Sequence, residues 1–217
     1  MKNLIKTFLI LFFFYSSFFS QQNKLLSQII NEVNIDTLKE NLSILTGVKP
    51  YYNNGEEIII ASRHKDHTGN KLAAEFIYRK LTGYGLETFY QEFFLKGENV
   101  YGIQYSQKNP NLYVIICAHY DNMPPGESAP GADDNGSGTV AVIEAARILS
   151  KYSFDYSIIY ALWDEEEQGL IGSHFYAQQT RDGYDSIIAV INLDMIGWDS
   201  NNDNAAEIHT RDIANSN

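Results

Sequence analysis

Three short runs of nearly unbroken apolar residues limit what this chain can fold into more than any other feature. They are Tyr113 to Ala118, Ser157 to Trp163 and Ile187 to Met195. A strand packed on one face alternates apolar and polar side chains. A run that is apolar at every position is buried on both faces, as in a parallel sheet covered by helices. Helical patterns lie around the runs. Leu25, Ile29, Ile30, Val33, Leu38, Leu42 and Leu45 recur at helical spacing and predict a helix over 24–46, ended by Gly47 and Pro50. Asn70 is placed to cap a second helix, with Leu72, Ala73, Phe76, Ile77 and Leu81 on one face and Gly83 and Gly85 beyond it. Leu86 to Phe94 and Asn99 to Tyr105 carry strand composition, and Lys108 to Asn111 reads as a turn. Thr139 to Tyr152 reads as a helix with a narrow polar stripe of Glu144, Arg147 and Lys151, and Gly172 to Thr180 as another. Strand and helix in alternation predict an α/β three-layer sandwich, its largely parallel, mixed central sheet flanked by helices.

Each apolar run stops at side chains that bind cations. The first ends at His119 and Asp121, the second at Asp164-Glu165-Glu166-Glu167 and the third at Asp194. Asp134 stands in the Gly-rich turn Gly131 to Gly138, directly before a helix. Open α/β sheets bind ligands outside the carboxyl ends of their strands, so these groups share one sheet edge. One imidazole with several carboxylates suits zinc; calcium would take more oxygens and no histidine. His119 and Asp121 point the same way on a strand, so Asp121 can hold the second imidazole nitrogen, as is common for zinc histidines.

A net charge of −11 argues against nucleic acid or an anionic membrane as partner. Lys2 and Lys6 precede an apolar run from Thr7 to Phe14 and the stretch Tyr15 to Ser20. This pattern predicts a signal peptide over 1–20, cut after Ser20, with one domain over 21–217 and a secreted or periplasmic protein free of a stable membrane partner. The apolar part is short of the ~20 residues that span a bilayer. Cys117 is the only cysteine, so no intrachain disulfide forms, and its apolar setting marks it as a small buried hydrophobe.

Four motifs together are familiar. They are His119-Tyr120-Asp121, Gly131-Ala132-Asp133-Asp134-Asn135-Gly136-Ser137-Gly138, Glu166-Glu167-Gln168-Gly169-Leu170-Ile171-Gly172-Ser173 and Asn192-Leu193-Asp194-Met195. In this order, over about Arg63 to Trp198, the chain resembles the co-catalytic two-zinc aminopeptidase family, whose relatives include glutamate carboxypeptidase and glutaminyl cyclase. The resemblance implies a zinc-exopeptidase-like fold and an exopeptidase, foremost an aminopeptidase, acting on peptide substrates. By position it implies that His119 and Asp194 bind one zinc, Glu167 the other, and Asp134 bridges both. Glu166 would be the general base, and Asp121 the partner of His119. The resemblance also implies a second zinc histidine downstream in an Asp-His pair. His209 follows Ile208 instead and reads as part of a further strand. On that reading the chain is incomplete at its C-terminus, and one of the two zinc positions lacks its histidine.

Two other readings stay open: a glutaminyl cyclase-like acyltransferase, and an inactive member of the family. The compact Glu167 to Ser173 stretch lacks the Trp-containing insertion expected of cyclases. Elsewhere plainer roles are expected. His64, His67 and His174 read as surface residues, Trp163 and Trp198 as core or rim aromatics, and Arg63 as a structural salt-bridge partner as readily as a binding group. Asp133 and Glu165 either shape the site electrostatically or face water.

Overall fold

A computed structural model of the chain describes residues 24–94, 96–183, 186–203 and 205–210. The expected leader lies outside the described residues.

The central sheet has five strands: β3 (Glu87–Phe93), β4 (Gly97–Gln104), β5 (Asn109–His119), β6 (Tyr156–Trp163) and β7 (Ser186–Asn192). Their order is β3-β4-β6-β5-β7. β5 pairs in parallel with β6 and β7, while β3 and β4 join antiparallel at the other side. The sheet is therefore mixed, parallel through β6-β5-β7 and antiparallel through β3-β4-β6. A small hairpin, β1 (Tyr51–Asn53) and β2 (Glu56–Ile58), stands apart from it.

Side-chain alternation divides the core. Ile158, Tyr160 and Leu162 of β6 pack with α1 (Ile35–Leu45), α2 (Thr68–Gly83) and α3 (Gly138–Leu149). Ile159, Ala161 and Trp163 face the other way, against Tyr176 of α4 (Ile171–Asp182). The result is three layers, with α1 to α3 on one face of the sheet and α4 on the other. The crossover through α3 leads from β5 to β6, and the one through α4 leads back past β5 to β7. That reversal opens a crevice at the carboxyl ends of β5 and β6.

Several expectations need correction. The predicted helix over 24–46 is two helices: a stretch at 24–31, then α1. Asn34 breaks them, its side chain accepting from the N–H groups of Asp36 and Thr37. Asn70 does not cap α2, which starts at Thr68 behind His67. Its amide instead reaches out of the helix to Arg63 O and Asp164 Oδ1. Asn109 and Pro110 already belong to β5, with a register irregularity before Tyr113. β7 ends at Asn192 and is not buried: Ile188, Val190 and Ile191 are exposed, because it is an edge strand with little packed on its faces among the described residues. His209 lies in 205–210, which forms no strand. No described helix is long and apolar enough to cross a membrane.

Candidate metal centre

β5 delivers His119 as its last residue, and its pairing continues one step further through Tyr120 N–H to Trp163 O. His119 and Asp121, two apart, fall on the same side. His119 Nδ1 lies 3.2 Å from Asp121 O and 3.4 Å from Asp121 Oδ1. Both are acceptors, so Nδ1 carries the proton and Nε2 faces the crevice. Asp121 is fully buried, and its carboxylate also accepts from the backbone N–H groups of Glu166 (3.0 Å) and Glu167 (3.2 Å). One carboxylate thus ties the end of β5 to the acidic turn after β6.

Asp134 sits in a tight turn, Ala132–Ser137, whose backbone is not helical at Asp134 and Asn135 and whose Asp134–Asn135 peptide is cis. This turn organises the segment after β7. Asn135 Nδ2 donates to Leu193 O, and Asn135 Oδ1 accepts from Gly138 N–H and Met195 N–H. Ile196 N–H donates to Ser137 Oγ, and Gly197 N–H to Asp133 Oδ1. The residues on both sides of Asp194 are therefore clamped by the turn that carries Asp134. Gly138 is required here, since a Cβ would lie 2.4 Å from Asn135 Oδ1 and 2.5 Å from Leu193 O.

His119 Nε2 then stands 3.2 Å from Asp134 Oδ1, 3.6 Å from Asp194 Oδ1 and 3.8 Å from Glu166 Oε2. Ligand atoms of His119, Asp134 and Asp194 all lie within 4.8 Å of one another, the one such group of histidine, cysteine and acidic side chains among the described residues. One imidazole nitrogen and two carboxylate oxygens, with the second imidazole nitrogen already held by a carboxylate, suit zinc. Glu167 is outside that three-residue group, though near enough to Asp134 to feel its charge. His209 is also outside it; its Nε2 is 3.4 Å from Glu207, and both side chains are exposed.

Electrostatics follow from the crowding. Burial pulls the His119 pKa down, but the hydrogen bond and charge of Asp121, with Glu166 and Asp194, outweigh it and raise it to about 9. A metal ion would take Nε2 in its unprotonated form. Burial, then repulsion from Asp121, Asp194 and Asp134, raises Glu166 despite the opposing pull of His119. A carboxylate raised in this way suits general-base work. Burial pushes the Cys117 thiol up to about 11, which leaves it inert.

Two charged residues lie buried beside the centre. Asp164, at the start of the acidic stretch that ends the second apolar run, is buried, and burial raises its carboxyl to about 7. Arg63 is fully buried and, among the described residues, its side chain donates to backbone carbonyls and forms no salt bridge. His64 is buried as well, contrary to expectation, whereas His174 is exposed. Trp163 is a core residue and Trp198 is exposed.

With that geometry in view, the matches to known proteins are specific. The model of Peptidase family M28 matches residues 99–215. A probable zinc metalloprotease of Pyrenophora tritici-repentis is 35% identical over 107 residues, covering 47% of this chain and 25% of that protein. Aminopeptidase YwaD of Bacillus subtilis is 38% identical over 103 residues, covering 46% of this chain and 22% of that protein. The matched stretch therefore spans about a quarter of these relatives. Among solved structures, LapB from Legionella pneumophila superposes with a TM-score of 0.69 at 21% identity, over 82% of this chain and 48% of that one. Porphyromonas gingivalis glutaminyl cyclase gives 0.62 at 17% identity, over 76% of this chain and 60% of that one. Both likenesses are of fold alone.

Proposed function

This chain belongs to peptidase family M28, and from that premise we propose that it carries the metal-binding part of a zinc-dependent aminopeptidase that removes N-terminal residues from peptides. The observation that supports this reading is the convergence of His119, Asp134 and Asp194, with Glu166 Oε2 3.8 Å from His119 Nε2. His119, Asp134 and Asp194 would hold zinc. Glu167, beside Glu166 on the same turn, would serve a second zinc that Asp134 shares. Bound zinc would supply Lewis acidity, polarising the scissile carbonyl and making water easier to deprotonate.

The remaining work falls to the chain itself. Glu166 takes a proton at its carboxylate from the attacking water and returns it to the leaving amine. Asp121 keeps the proton on His119 Nδ1 and, through the N–H groups of Glu166 and Glu167, fixes the turn that aims the base.

The test is release of an aminoacyl leaving group by purified protein, its loss to a chelator and its return with zinc. Glu166→Gln should lower kcat/KM by about 10²- to 10⁴-fold while zinc binding persists, the size expected for a lost general base. A zinc-loaded, folded variant that kept the full rate would remove Glu166 from that role. Ammonia release from a peptide with N-terminal Gln, without peptide-bond hydrolysis, would instead support the cyclase reading.

A further inference from the structure

Arg63 stands behind the candidate centre and touches none of its carboxylates. Its side chain is fully buried, and its fork spans three separate segments. Nε donates to Tyr120 O at 2.7 Å, the carbonyl between His119 and Asp121. Nη1 donates to Pro130 O at 2.8 Å and Nη2 to Gly131 O at 2.8 Å, directly before the turn that carries Asp134. Nη1 also donates to Leu45 O at 2.7 Å, at the end of α1. The backbone of Arg63 is fixed in turn: its N–H donates to Asn122 Oδ1 at 3.0 Å, and its carbonyl accepts from Asn70 Nδ2 at 3.0 Å.

Burying a guanidinium is costly, since a charge taken out of water needs strong compensation; the nearby charges of Asp121 and Asp134 offset part of that cost, while every hydrogen bond of the Arg63 side chain goes to a neutral carbonyl. What a planar five-donor fork can do, and an apolar side chain or an ammonium cannot, is hold acceptors in several directions at fixed spacing. Here three of the four acceptors, Tyr120 O, Pro130 O and Gly131 O, belong to the two backbone segments that present His119 and Asp134, and the fourth, Leu45 O, ties them to the end of α1. Gly131 is required where this turn begins: its φ is +46°, and a Cβ there would lie 2.6 Å from both Asn122 Nδ2 and Asp134 O.

We propose that Arg63 is a positioning residue for the metal centre: its guanidinium sets the separation of His119 and Asp134, and so the bite offered to the ion. The inference rests on the metal-site reading above. Arg63 touches neither ion nor substrate; it acts through Tyr120 O, Pro130 O and Gly131 O.

Arg63→Lys keeps the charge and the aliphatic stem but loses the fork; Arg63→Met keeps the stem alone. Zinc affinity of the full chain is measured by chelator competition well below the melting temperature, and site geometry by the visible absorption of the cobalt-substituted protein. Both variants should bind zinc about 10- to 100-fold more weakly, the loss usual when an outer partner of a metal ligand is removed. The cobalt bands should shift in position or intensity. A folded variant less stable than wild type, yet with unchanged zinc affinity and an unchanged cobalt spectrum, would overturn the proposal and leave Arg63 a packing residue. If neither variant folds, wild-type protein labelled at arginine nitrogen gives the answer. Zinc should shift the Arg63 Nε–H resonance and slow its exchange, and a resonance indifferent to zinc would overturn the proposal. Wild type that binds no zinc would defeat the metal-site reading itself, a result distinct from either.

Discussion

Behind the turn that carries Glu166 and Glu167, Asp164 receives three donors: Asn70 Nδ2 at 2.7 Å, Glu165 N–H at 2.9 Å and Glu98 N–H at 3.1 Å. Burial outweighs them and raises its carboxyl from 3.8 to about 7. The native state therefore keeps this proton to higher pH than the unfolded chain does. Its stabilising contribution is full below pH about 4 and is lost as pH rises to about 7, at about 1.4 kcal/mol per unit. Urea unfolding of wild type across this window should show that decline, and Asp164→Asn should flatten it, whatever its own offset in stability. Equal slopes in the two proteins would show that Asp164 ionises alike in both states. Burial of Asp164 was legible in principle. It continues the even parity of Ile158, Tyr160 and Leu162, the face turned to α1, α2 and α3. Its acidic neighbours obscure that parity, because runs of charged residues usually face water. Arg63 had no such signal, because its four acceptors come from segments that only the tertiary fold brings together.

Among the secondary elements, the sequence was clearest where hydrophobic pattern and site chemistry agree. β5 and β6 were readable because their apolar runs end in His119 and the acidic turn, and the structure puts both ends at one crevice. The first helix was misread for a physical reason. The apolar repeat passes smoothly through Val33 and Leu38, so periodicity alone predicts continuity. Asn34 competes with it: its side-chain oxygen takes the N–H groups of Asp36 (2.9 Å) and Thr37 (3.0 Å), and its own N–H donates to Glu144 Oε1 at 2.8 Å. A local cap with a partner across the fold outweighs helix propagation. Asn34→Ala should therefore lower stability by about 1 kcal/mol, seen as a drop of roughly 2–4 °C in Tm. An unchanged melting curve would mean that the Glu144 contact alone sets the break. β7 was misread in the other direction. Composition reports what a strand can bury, not whether a neighbour covers it, and here Val190 and Ile191 stay exposed.

Across the whole molecule, the net charge of −11 is distributed unevenly. Asp121, Asp134, Glu166, Glu167 and Asp194 gather around one imidazole, so the zinc-free centre holds more negative charge than His119 can balance. Such crowding opposes folding until a cation arrives, and its sign then reverses. Glu167 isolates the effect. Burial, then repulsion from Asp134 and Asp121, raises its carboxyl, so its charge is unwelcome in the empty centre. Glu167→Gln should melt above wild type in chelator, because the repulsion is gone. With zinc in excess it should melt below wild type, because a proposed ligand is gone. Zinc at a hundred times its Kd adds about 2.7 kcal/mol to a protein that binds it only when folded. For a chain of 217 residues that corresponds to a rise of roughly 5–10 °C. The wild-type rise sets the scale, and Glu167→Gln should show a smaller one. If the substitution shifts Tm in the same direction with and without zinc, Glu167 is not a ligand, and the centre is served by His119, Asp134 and Asp194 alone.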